Sequence, residues 1–321
     1  MTERVRITVA GAGAFGREHL ERLGAMAGVE IAGIADIDLA AARLAAGRYG
    51  VPKADGDALE MIARLRPHGL VVATPGRTHL PIALAALAAG IPVLLEKPVG
   101  TDVAEAERLV AAEAGSSGFV LPGHVLRFSA HYRRLADIVL SGAIGPVLGF
   151  ASRQHRDDGH AVRYTDVDPV LTTMVHDIDL AIWMTGAGAS SVHALRRPPG
   201  VRRSDTLMLA SGAAGAAWHL ASAWTFPGTE TPPDRVEVVG ESGGVELELG
   251  SHIRQFGRTV RQIDLAAIPD DPLAAELDYF VRCIRRGERP TAVTTQDARD
   301  GLAVAAAVMA SLASGAVERV A

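Results

Sequence analysis

Three short segments of the sequence combine residue types and spacings that could perform chemistry on a small molecule. They are the glycine-rich turn Gly11-Ala12-Gly13-Ala14-Phe15-Gly16, the segment Glu96-Lys97-Pro98 and the segment His176-Asp177-Ile178-Asp179. A glycine-rich turn that opens a helix can bind phosphate, a lysine can donate hydrogen bonds to an oxygen, and a histidine can exchange a proton near neutral pH. Each segment also has a purely structural interpretation, so its place in the fold decides between the two.

The glycine-rich turn lies between a short β-branched strand at residues 7–10 and a predicted helix, which is the context that a dinucleotide site requires. Gly11 permits a tight turn, Gly13 lets the backbone approach a pyrophosphate, and Gly16 allows the helix to pack closely on the sheet. Asp36 ends the next predicted strand, where an acid would bind a ribose hydroxyl. A plain strand–helix turn with a solvated aspartate is disfavoured, because the glycine-rich turn and Asp36 occur together at the spacing of a dinucleotide site.

The residue types beside Asp36 bear on which dinucleotide is bound. Ile37 follows it, in place of an arginine that would pair with a 2′-phosphate, so the sequence favours NAD over NADP. Arg43 or Arg48 could still reach such a phosphate, and NADP therefore stays open. Cys283 is the only cysteine, so no thiol pair can form and the nicotinamide is the only redox centre that the sequence predicts.

Glu96-Lys97-Pro98 follows a predicted strand at residues 93–95. Ligands of an open parallel sheet bind at the carboxyl ends of its strands, so Lys97 could donate a hydrogen bond to a substrate oxygen there, with Glu96 nearby to hold it. On charge alone, an exposed Glu–Lys pair at a strand end is the simpler interpretation. Pro98 slightly favours the functional interpretation, since a proline fixes the direction of the backbone.

His176 lies on a predicted helix together with Asp179 and Trp183, near one helical face. A single helical histidine is more often a packed or capping residue than a catalyst, so spacing alone leaves its role open. His176, Asp177 and Asp179 are possible metal ligands, but the spacing of known zinc motifs is missing. We therefore predict no metal site.

The composition narrows the class of protein. The chain has 321 residues, of which 48% are hydrophobic and 21% charged, and its net charge is −5. This length favours two domains, and the hydrophobic content excludes disorder. The sequence contains no basic run, no signal-peptide pattern and no spanning apolar segment, so we expect a cytoplasmic protein without nucleic-acid or membrane partners.

The order of predicted elements changes near residue 122. Before it, strands and helices alternate, which predicts a parallel, doubly wound Rossmann sheet. After it, strand-like runs follow one another, which predicts an α+β domain with a largely antiparallel open sheet, covered on one face by helices at 170–184 and 273–286. We therefore predict an α/β chain with a Rossmann dinucleotide-binding domain at 1–121 and a substrate-binding and oligomerisation domain at 122–321.

Taken in order, these segments resemble the Gfo/Idh/MocA family of NAD(P)-dependent oxidoreductases, which includes glucose–fructose oxidoreductase and inositol dehydrogenase. The resemblance runs over nearly the whole chain. Its most specific part is residues 88–98, which end in Glu96-Lys97-Pro98. Further matching segments are residues 11–19, 73–79, 127–128, 142–145, 175–179, 236–243 and 271–280.

The resemblance implies which residues meet the cofactor and the substrate. Lys97 matches the catalytic lysine of the family, and His176 matches its catalytic histidine. The residues at dinucleotide-contacting positions are Ala12, Phe15, Asp36, Thr74, Pro75, His79, Glu96 and His124. The substrate implied is a polyhydroxylated sugar, polyol or sugar derivative, and its predicted binding residues are Lys97, Arg153, His155, Thr172 and His176.

The implied reaction moves a hydride between a substrate carbon and the nicotinamide. In the oxidation direction, neutral His176 would accept the hydroxyl proton, and Lys97 would stabilise the charge that develops on the same oxygen. Arg153, Arg156 and Arg163 would either meet a carboxylate or phosphate of the substrate or belong to a solvated loop.

One departure from the family pattern concerns the partner of the histidine. Many sugar and inositol dehydrogenases of the family carry an aspartate four residues before it, where this chain has Thr172. A threonine cannot balance an imidazolium charge, so His176 acts alone or Asp166, Asp168 or Asp177 substitutes. The departure leaves the cofactor prediction intact and weakens any transfer of substrate identity.

Two other functions remain open on the sequence alone. One is an NAD-dependent glycoside hydrolase, which would release no net NADH during turnover, and the other is a non-catalytic NAD-binding regulator. Retention of both Lys97 and His176 argues against the regulator. Because the predicted open sheet needs its second face covered, we expect a homodimer or homotetramer.

Overall fold

The computed structural model describes residues 4–163, 167–197 and 204–321, without the side chains of Asp158 and Ala161. Its contacts divide the chain into two compact units. The first comprises Met1–Phe128 and Asp271–Arg299, and the second comprises Ser129–Asp270 and Asp300–Ala321. In the described part of the chain, every helix is too short or too polar to cross a lipid bilayer. The predicted domain boundary at residues 121 and 122 stays a prediction.

The helices in chain order are α1 (Ala14–Ala25), α2 (Leu39–Tyr49), α3 (Ala58–Leu65), α4 (His79–Ala88), α5 (Val103–Ala114), α6 (Ala130–Leu140), α7 (Asp158–Arg163), α8 (Val175–Thr185), α9 (Pro272–Arg286) and α10 (Thr295–Ser314). Shorter turns of 3₁₀ helix lie at Gly76–Thr78 and Val125–Phe128, and a π-helical turn lies at Val170–Met174.

The strands in chain order are β1 (Val5–Ala10), β2 (Val29–Ala35), β3 (Ala54–Asp55), β4 (Gly69–Val72), β5 (Val93–Glu96), β6 (Val120–Gly123), β7 (Val147–Asp157), β8 (Ala189–Arg197), β9 (Asp205–Gly212), β10 (Ala217–Phe226), β11 (Arg235–Gly240), β12 (Gly243–Glu248), β13 (His252–Phe256), β14 (Arg261–Asp264) and β15 (Glu318–Arg319).

The first unit is built on a parallel sheet with the strand order β3-β2-β1-β4-β5-β6. This order is that of a doubly wound Rossmann fold, so the prediction for the N-terminal region is confirmed. Every residue of β4 and β5 is buried, because helices cover both faces of such a sheet and the strands must be apolar on both sides. All the carboxyl ends of these strands lie at one edge of the sheet, where ligands of this fold bind.

Helix α9 belongs to the first unit, although in the sequence it lies between the two segments of the second unit. Leu277, Phe280 and Val281 share one buried core with Val9 and Leu20 of the Rossmann sheet and its first helix. The prediction that residues 273–286 cover the C-terminal sheet is therefore wrong. The strong apolar stripe of α9 predicts a buried face but does not specify which sheet buries it.

The second unit is built on a mixed sheet with the order β14-β13-β12-β11-β7-β10-β9-β8-β15. All neighbouring strands are antiparallel except β7 and β10, which run parallel. The predicted largely antiparallel sheet is confirmed. Helix α8 and the π-helical turn before it pack on β7 and β10, and this contact positions His176.

Candidate active site

The glycine-rich turn has the shape that a dinucleotide site needs. Gly11 has a φ of +105°, and a Cβ atom there would overlap the carbonyl of Ala73. A Cβ atom at Gly16 would overlap the carbonyl of Gly11, whereas the Cβ direction of Gly13 is open, with no described atom within 4 Å. The first and third glycines are therefore required by packing, and the second faces space in which a pyrophosphate fits.

Asp36 is held beside this turn by backbone hydrogen bonds. The Ala12 amide donates to one carboxylate oxygen at 2.7 Å, and the Asp38 amide donates to the other at 2.9 Å. These bonds fix the carboxylate at the carboxyl end of β2, where it can accept hydrogen bonds from ribose hydroxyls. The neighbouring Ile37 side chain is 97% exposed, so this position offers an apolar surface and no cation to a bound nucleotide.

His79 connects two of the predicted cofactor segments. Its ring nitrogens lie 2.7 Å from the carbonyl oxygens of Thr74 and Pro98, and the side chain is buried. The Thr74-Pro75 turn at the end of β4 is thereby fixed to the backbone that follows Lys97 at the end of β5. His79 is therefore a packed residue that holds two backbone segments together at this edge of the sheet.

Glu96 is a buried carboxylate whose partner is His19 of α1. The Glu96 Oε1 atom lies 2.8 Å from the His19 Nε2 atom, and the Phe15 ring packs edge-on against the His19 ring at 5.2 Å. This contact ties the helix of the glycine-rich turn to the strand that carries Lys97. Burial and the charge of Glu96 raise the pKa of Glu276, a fully buried carboxyl group on α9, well above its usual range.

His124 completes the predicted cofactor residues of the first unit. It follows Gly123, the last residue of β6, and Gly123 is paired with Glu96 of β5. His124 is almost fully buried. The predicted residues of this unit therefore lie at the carboxyl ends of β1, β2, β4, β5 and β6, and their contact with a dinucleotide stays a prediction.

His176 lies in the first turn of α8, directly after the π-helical turn Val170–Met174. Such turns are rare and occur frequently at functional sites. The indole of Trp224 on β10 donates a hydrogen bond to the Thr173 hydroxyl at 3.1 Å, and Trp224 is buried. Trp224 is therefore part of the core that seats this turn.

The structure argues against Asp168 as the replacement for the missing family aspartate. The Thr172 hydroxyl donates to the Asp168 carbonyl oxygen at 3.0 Å. The Asp168 carboxylate receives both arms of the Arg196 guanidinium, at 2.6 and 2.7 Å, so its charge is already balanced. Asp166, the other alternative named from the sequence, lies outside the described residues.

The arginines on β7 are paired with carboxylates of the protein. Arg153 binds Asp205 at 2.8 Å, and Arg156 binds Asp234 at 3.0 Å. Burial and the nearby Arg153 charge lower the pKa of His155, so its ring is neutral at pH 7 and accepts a hydrogen bond from Arg153 at 3.2 Å. These pairs favour a structural role for the two arginines over capture of an anionic substrate.

Asp177 is the remaining carboxylate beside His176, and it faces the sheet. It is 1% exposed, and its Oδ1 atom accepts a hydrogen bond from the Gln154 amide at 2.9 Å. Burial raises the pKa of Asp177 to about 7, and the hydrogen bond from Gln154 only partly offsets this. The fold therefore favours the protonated form, and stability falls as the pH rises from about 4 to about 7.

The Asp177→Asn variant should accordingly gain stability at high pH. Because asparagine cannot ionise, we expect its unfolding free energy to exceed that of the wild type by about 2–4 kcal/mol at pH 8. Near pH 4.5 the difference should shrink to about 1 kcal/mol, as urea unfolding at both pH values would measure. Asp57→Asn, at an exposed cap of α3, is the control. An equal stability change at both pH values in Asp177→Asn would contradict the assignment.

Within the described residues, no three His, Cys, Asp or Glu side chains are grouped as metal ligands.

His19, Gln154 and Asp234 are functional candidates that sequence reasoning missed. Their contacts join distant parts of the chain and leave no periodic signal in the sequence.

Comparison with known proteins extends this picture. The model of the oxidoreductase family with an NAD-binding Rossmann fold, GFO_IDH_MocA, matches residues 5–124, and the C-terminal domain model of the same family matches residues 132–253. Inositol 2-dehydrogenase of Burkholderia ambifaria is 28% identical over 330 residues, which cover 99% of this chain and 96% of that protein. Inositol 2-dehydrogenase of Arthrobacter sp. is 34% identical over 196 residues, 60% of this chain and 57% of that protein.

Solved structures share the fold over the full length. The scyllo-inositol dehydrogenase of Lactobacillus casei, with bound NAD(H) and scyllo-inositol, superposes with a TM-score of 0.86 at 18% identity, covering 99% of both chains. An oxidoreductase of Agrobacterium radiobacter in complex with NAD⁺, L-tartaric acid and magnesium has a TM-score of 0.88 at 18% identity, covering 99% of this chain and 98% of that one. The matches to both domain models confirm the resemblance read from the sequence, and the chain belongs to the Gfo/Idh/MocA family of oxidoreductases with an NAD-binding Rossmann domain.

Proposed function

We propose that the protein is an NAD-dependent dehydrogenase that transfers a hydride between the nicotinamide and a secondary hydroxyl or ketone of a polyol or sugar derivative. The observation that carries the proposal is the cradle at the carboxyl edge of the first sheet. There, Gly13 leaves room for a pyrophosphate, and Asp36 is fixed to receive a ribose. Lys97 follows β5 at the same edge. The inositol 2-dehydrogenases among the relatives support the substrate class.

The residues of this chain would bind the reacting oxygen and accept its proton, which the cofactor does not do. When bound, the nicotinamide accepts the hydride in the oxidation direction. Lys97 would donate a hydrogen bond to the reacting oxygen and so stabilise its developing charge, and neutral His176 would accept its proton. Thr172 and His155 would face the substrate as neutral hydrogen-bonding groups.

The charge pairing in the second unit favours a neutral substrate over a sugar acid or sugar phosphate. Arg153 and Arg156 are each bound to an aspartate of the protein. An anionic substrate at Arg156 would have to displace the Asp234 carboxylate and leave it unpaired, which is costly because this pair is partly buried. We therefore expect higher kcat/KM for inositols and neutral sugars than for their acids or phosphates.

The preference for NAD over NADP is a further part of the proposal, and it can be reversed by design. Replacing Asp36 by alanine and Ile37 by arginine removes the ribose acceptor and adds a partner for a 2′-phosphate. We expect the double variant to lose about 10- to 100-fold in kcat/KM for NAD⁺ and to gain for NADP⁺. Asp57→Ala, which removes the exposed N-cap carboxylate of α3, is the control. Unchanged cofactor preference in the double variant would refute the role of Asp36.

The direct test of the proposal is a screen of initial rates by NADH absorbance. NAD⁺ and NADP⁺ are each combined with myo-inositol, scyllo-inositol, neutral sugars, sugar acids and nucleotide sugars. The proposal expects reduction of NAD⁺ by at least one neutral polyhydroxylated substrate. NADH binding without turnover of any panel member would favour the regulator instead, and glycoside cleavage without net NADH would favour the hydrolase. The cytoplasmic location and the dimer or tetramer expected from the sequence stay predictions.

A further inference from the structure

A chain of polar side chains connects the strand β7 to the helix that carries His176. Arg156 donates to both carboxylate oxygens of Asp234 at 3.0 Å, and its other arm donates to the Gln154 Oε1 atom at 2.6 Å. The Gln154 amide nitrogen donates to the Asp177 Oδ1 atom at 2.9 Å. Gln154 and Asp177 are each 1% exposed. We call Asp234, Arg156, Gln154 and Asp177 the polar relay.

The polar relay has a fixed direction. An arginine can only donate hydrogen bonds, so the carbonyl oxygen of Gln154 must face Arg156. The amide nitrogen of Gln154 must then face Asp177, and residue 177 must supply an acceptor. The Oδ1 atom meets this demand in both protonation states, because the proton of the neutral acid can reside on Oδ2. The relay thus demands an acceptor at residue 177 and makes no demand for a charge there.

His176 lies between two points at which its helical segment is bound to the sheet. Before it, the Thr173 hydroxyl accepts a hydrogen bond from Trp224 on β10. After it, Asp177 accepts from Gln154 on β7. Residues 173 and 177 are about one turn apart and both face the sheet, so the two bonds fix the rotation of this turn about its axis. That rotation sets the direction in which His176 points.

We propose that Gln154 and Asp177 are positioning residues that orient His176 through the polar relay. The inference rests on the proposed function, since His176 is the proposed base. A proton transfer needs the base within hydrogen-bond reach of the substrate, and a displacement of about 1 Å can cost 100-fold in rate. The relay therefore acts on kcat through the placement of the ring, without contact with substrate or cofactor.

The test compares variants that break the relay with one that preserves its acceptor. Gln154→Met and Asp177→Leu remove a partner, and we expect each to lower kcat by about 10- to 100-fold at unchanged KM for NAD⁺. Asp177→Asn restores the acceptor, so it should recover most of the loss. Ser222→Ala, which deletes a buried hydroxyl from the neighbouring strand β10, is the matched control and should keep wild-type kcat. Rates are expressed per NADH-binding site, so that unfolded protein does not count.

Three results would overturn the proposal. The first is wild-type kcat in Gln154→Met, and the second is a loss in Asp177→Asn as large as that in Asp177→Leu, which would assign the effect to charge. If the buried variants fail to fold, Arg156→Met tests the same bond from the rim, where the side chain of Arg156 is 27% exposed. Arg156→Met should lower kcat at unchanged KM for the polyol. The third result that would overturn the proposal is a raised KM with unchanged kcat in this variant.

Failure of the relay and failure of the proposed function are distinguishable. If the wild type oxidises no polyol, the proposed function fails, and amide hydrogen exchange then tests the relay alone. Exchange of the amides of residues 175–179 should be faster in Gln154→Met than in the wild type and near wild type in Asp177→Asn. Equal exchange in all three proteins would refute the relay.

Discussion

Replacement of Lys97 by alanine should lower kcat for polyol oxidation by about 100- to 1,000-fold, because it removes the donor proposed to stabilise charge on the reacting oxygen. Binding of NADH should be nearly unchanged, since the dinucleotide contacts that we propose come from the glycine-rich turn and Asp36. The residue type itself is informative. Lys97 is one of only two lysines in the chain, whose other cationic side chains are arginines. A compact ammonium group suits an oxygen whose charge changes during the reaction better than a planar guanidinium does.

The measurement pairs steady-state kinetics with fluorescence titration of NADH. Lys53→Ala is the matched control, because it removes the other, exposed lysine. With only two lysines, ¹⁵N labelling of the side-chain amino groups gives two signals, and only that of Lys97 should shift when NAD⁺ and polyol bind. Near-normal turnover in Lys97→Ala, or a Lys97 signal that ignores both ligands, would remove this residue from the reaction.

The second large effect is expected for His176→Ala, which should lower kcat by about 100- to 10,000-fold through loss of the general base. In the oxidation direction, the base must be neutral to accept a proton. The wild-type rate should therefore rise with pH through the ionisation of this histidine and then level off. In the variant that dependence should disappear, and the residual rate should grow with hydroxide concentration.

The control for this experiment is His219→Ala, which removes an exposed histidine from β10. NADH affinity should be the same in both variants and in the wild type. A pH profile of His176→Ala that keeps the wild-type ionisation at a reduced rate would contradict the assignment, since some other group would then be the base.

The places of the proposed cofactor segments in the fold could be predicted from the sequence because their signals are local. The glycine-rich turn, the aspartate at the end of the second strand and the Glu-Lys-Pro segment each follow an apolar strand. Local patterns of this kind predict an element and its end, and the Rossmann order then brings the ends together. The observed strands β1 and β5 begin and end within two residues of the strands predicted at residues 7–10 and 93–95.

The packing of α9 and the polar contacts of the second unit could not be predicted, because they join residues far apart in the chain. The apolar stripe of α9 predicts burial, but its partner in the Rossmann core has no local signature. The pairing of Arg156 with Asp234 joins residues 78 positions apart, and that of Gln154 with Asp177 joins residues 23 apart. A run of arginines and aspartates looks the same in a sequence whether it meets a substrate or pairs internally. Only the fold separates these two cases.

Isotopic labelling shows whether a hydride passes from a secondary carbinol carbon to the nicotinamide, as we propose. The protein is incubated with NAD⁺ and with the best inositol of the panel, deuterated at its ring carbons, and the NADH is examined by mass spectrometry and NMR. We expect NADH with deuterium at C4 of the nicotinamide, in an amount equal to the ketone formed. NADH without deuterium, or conversion of substrate with no net NADH, would contradict it.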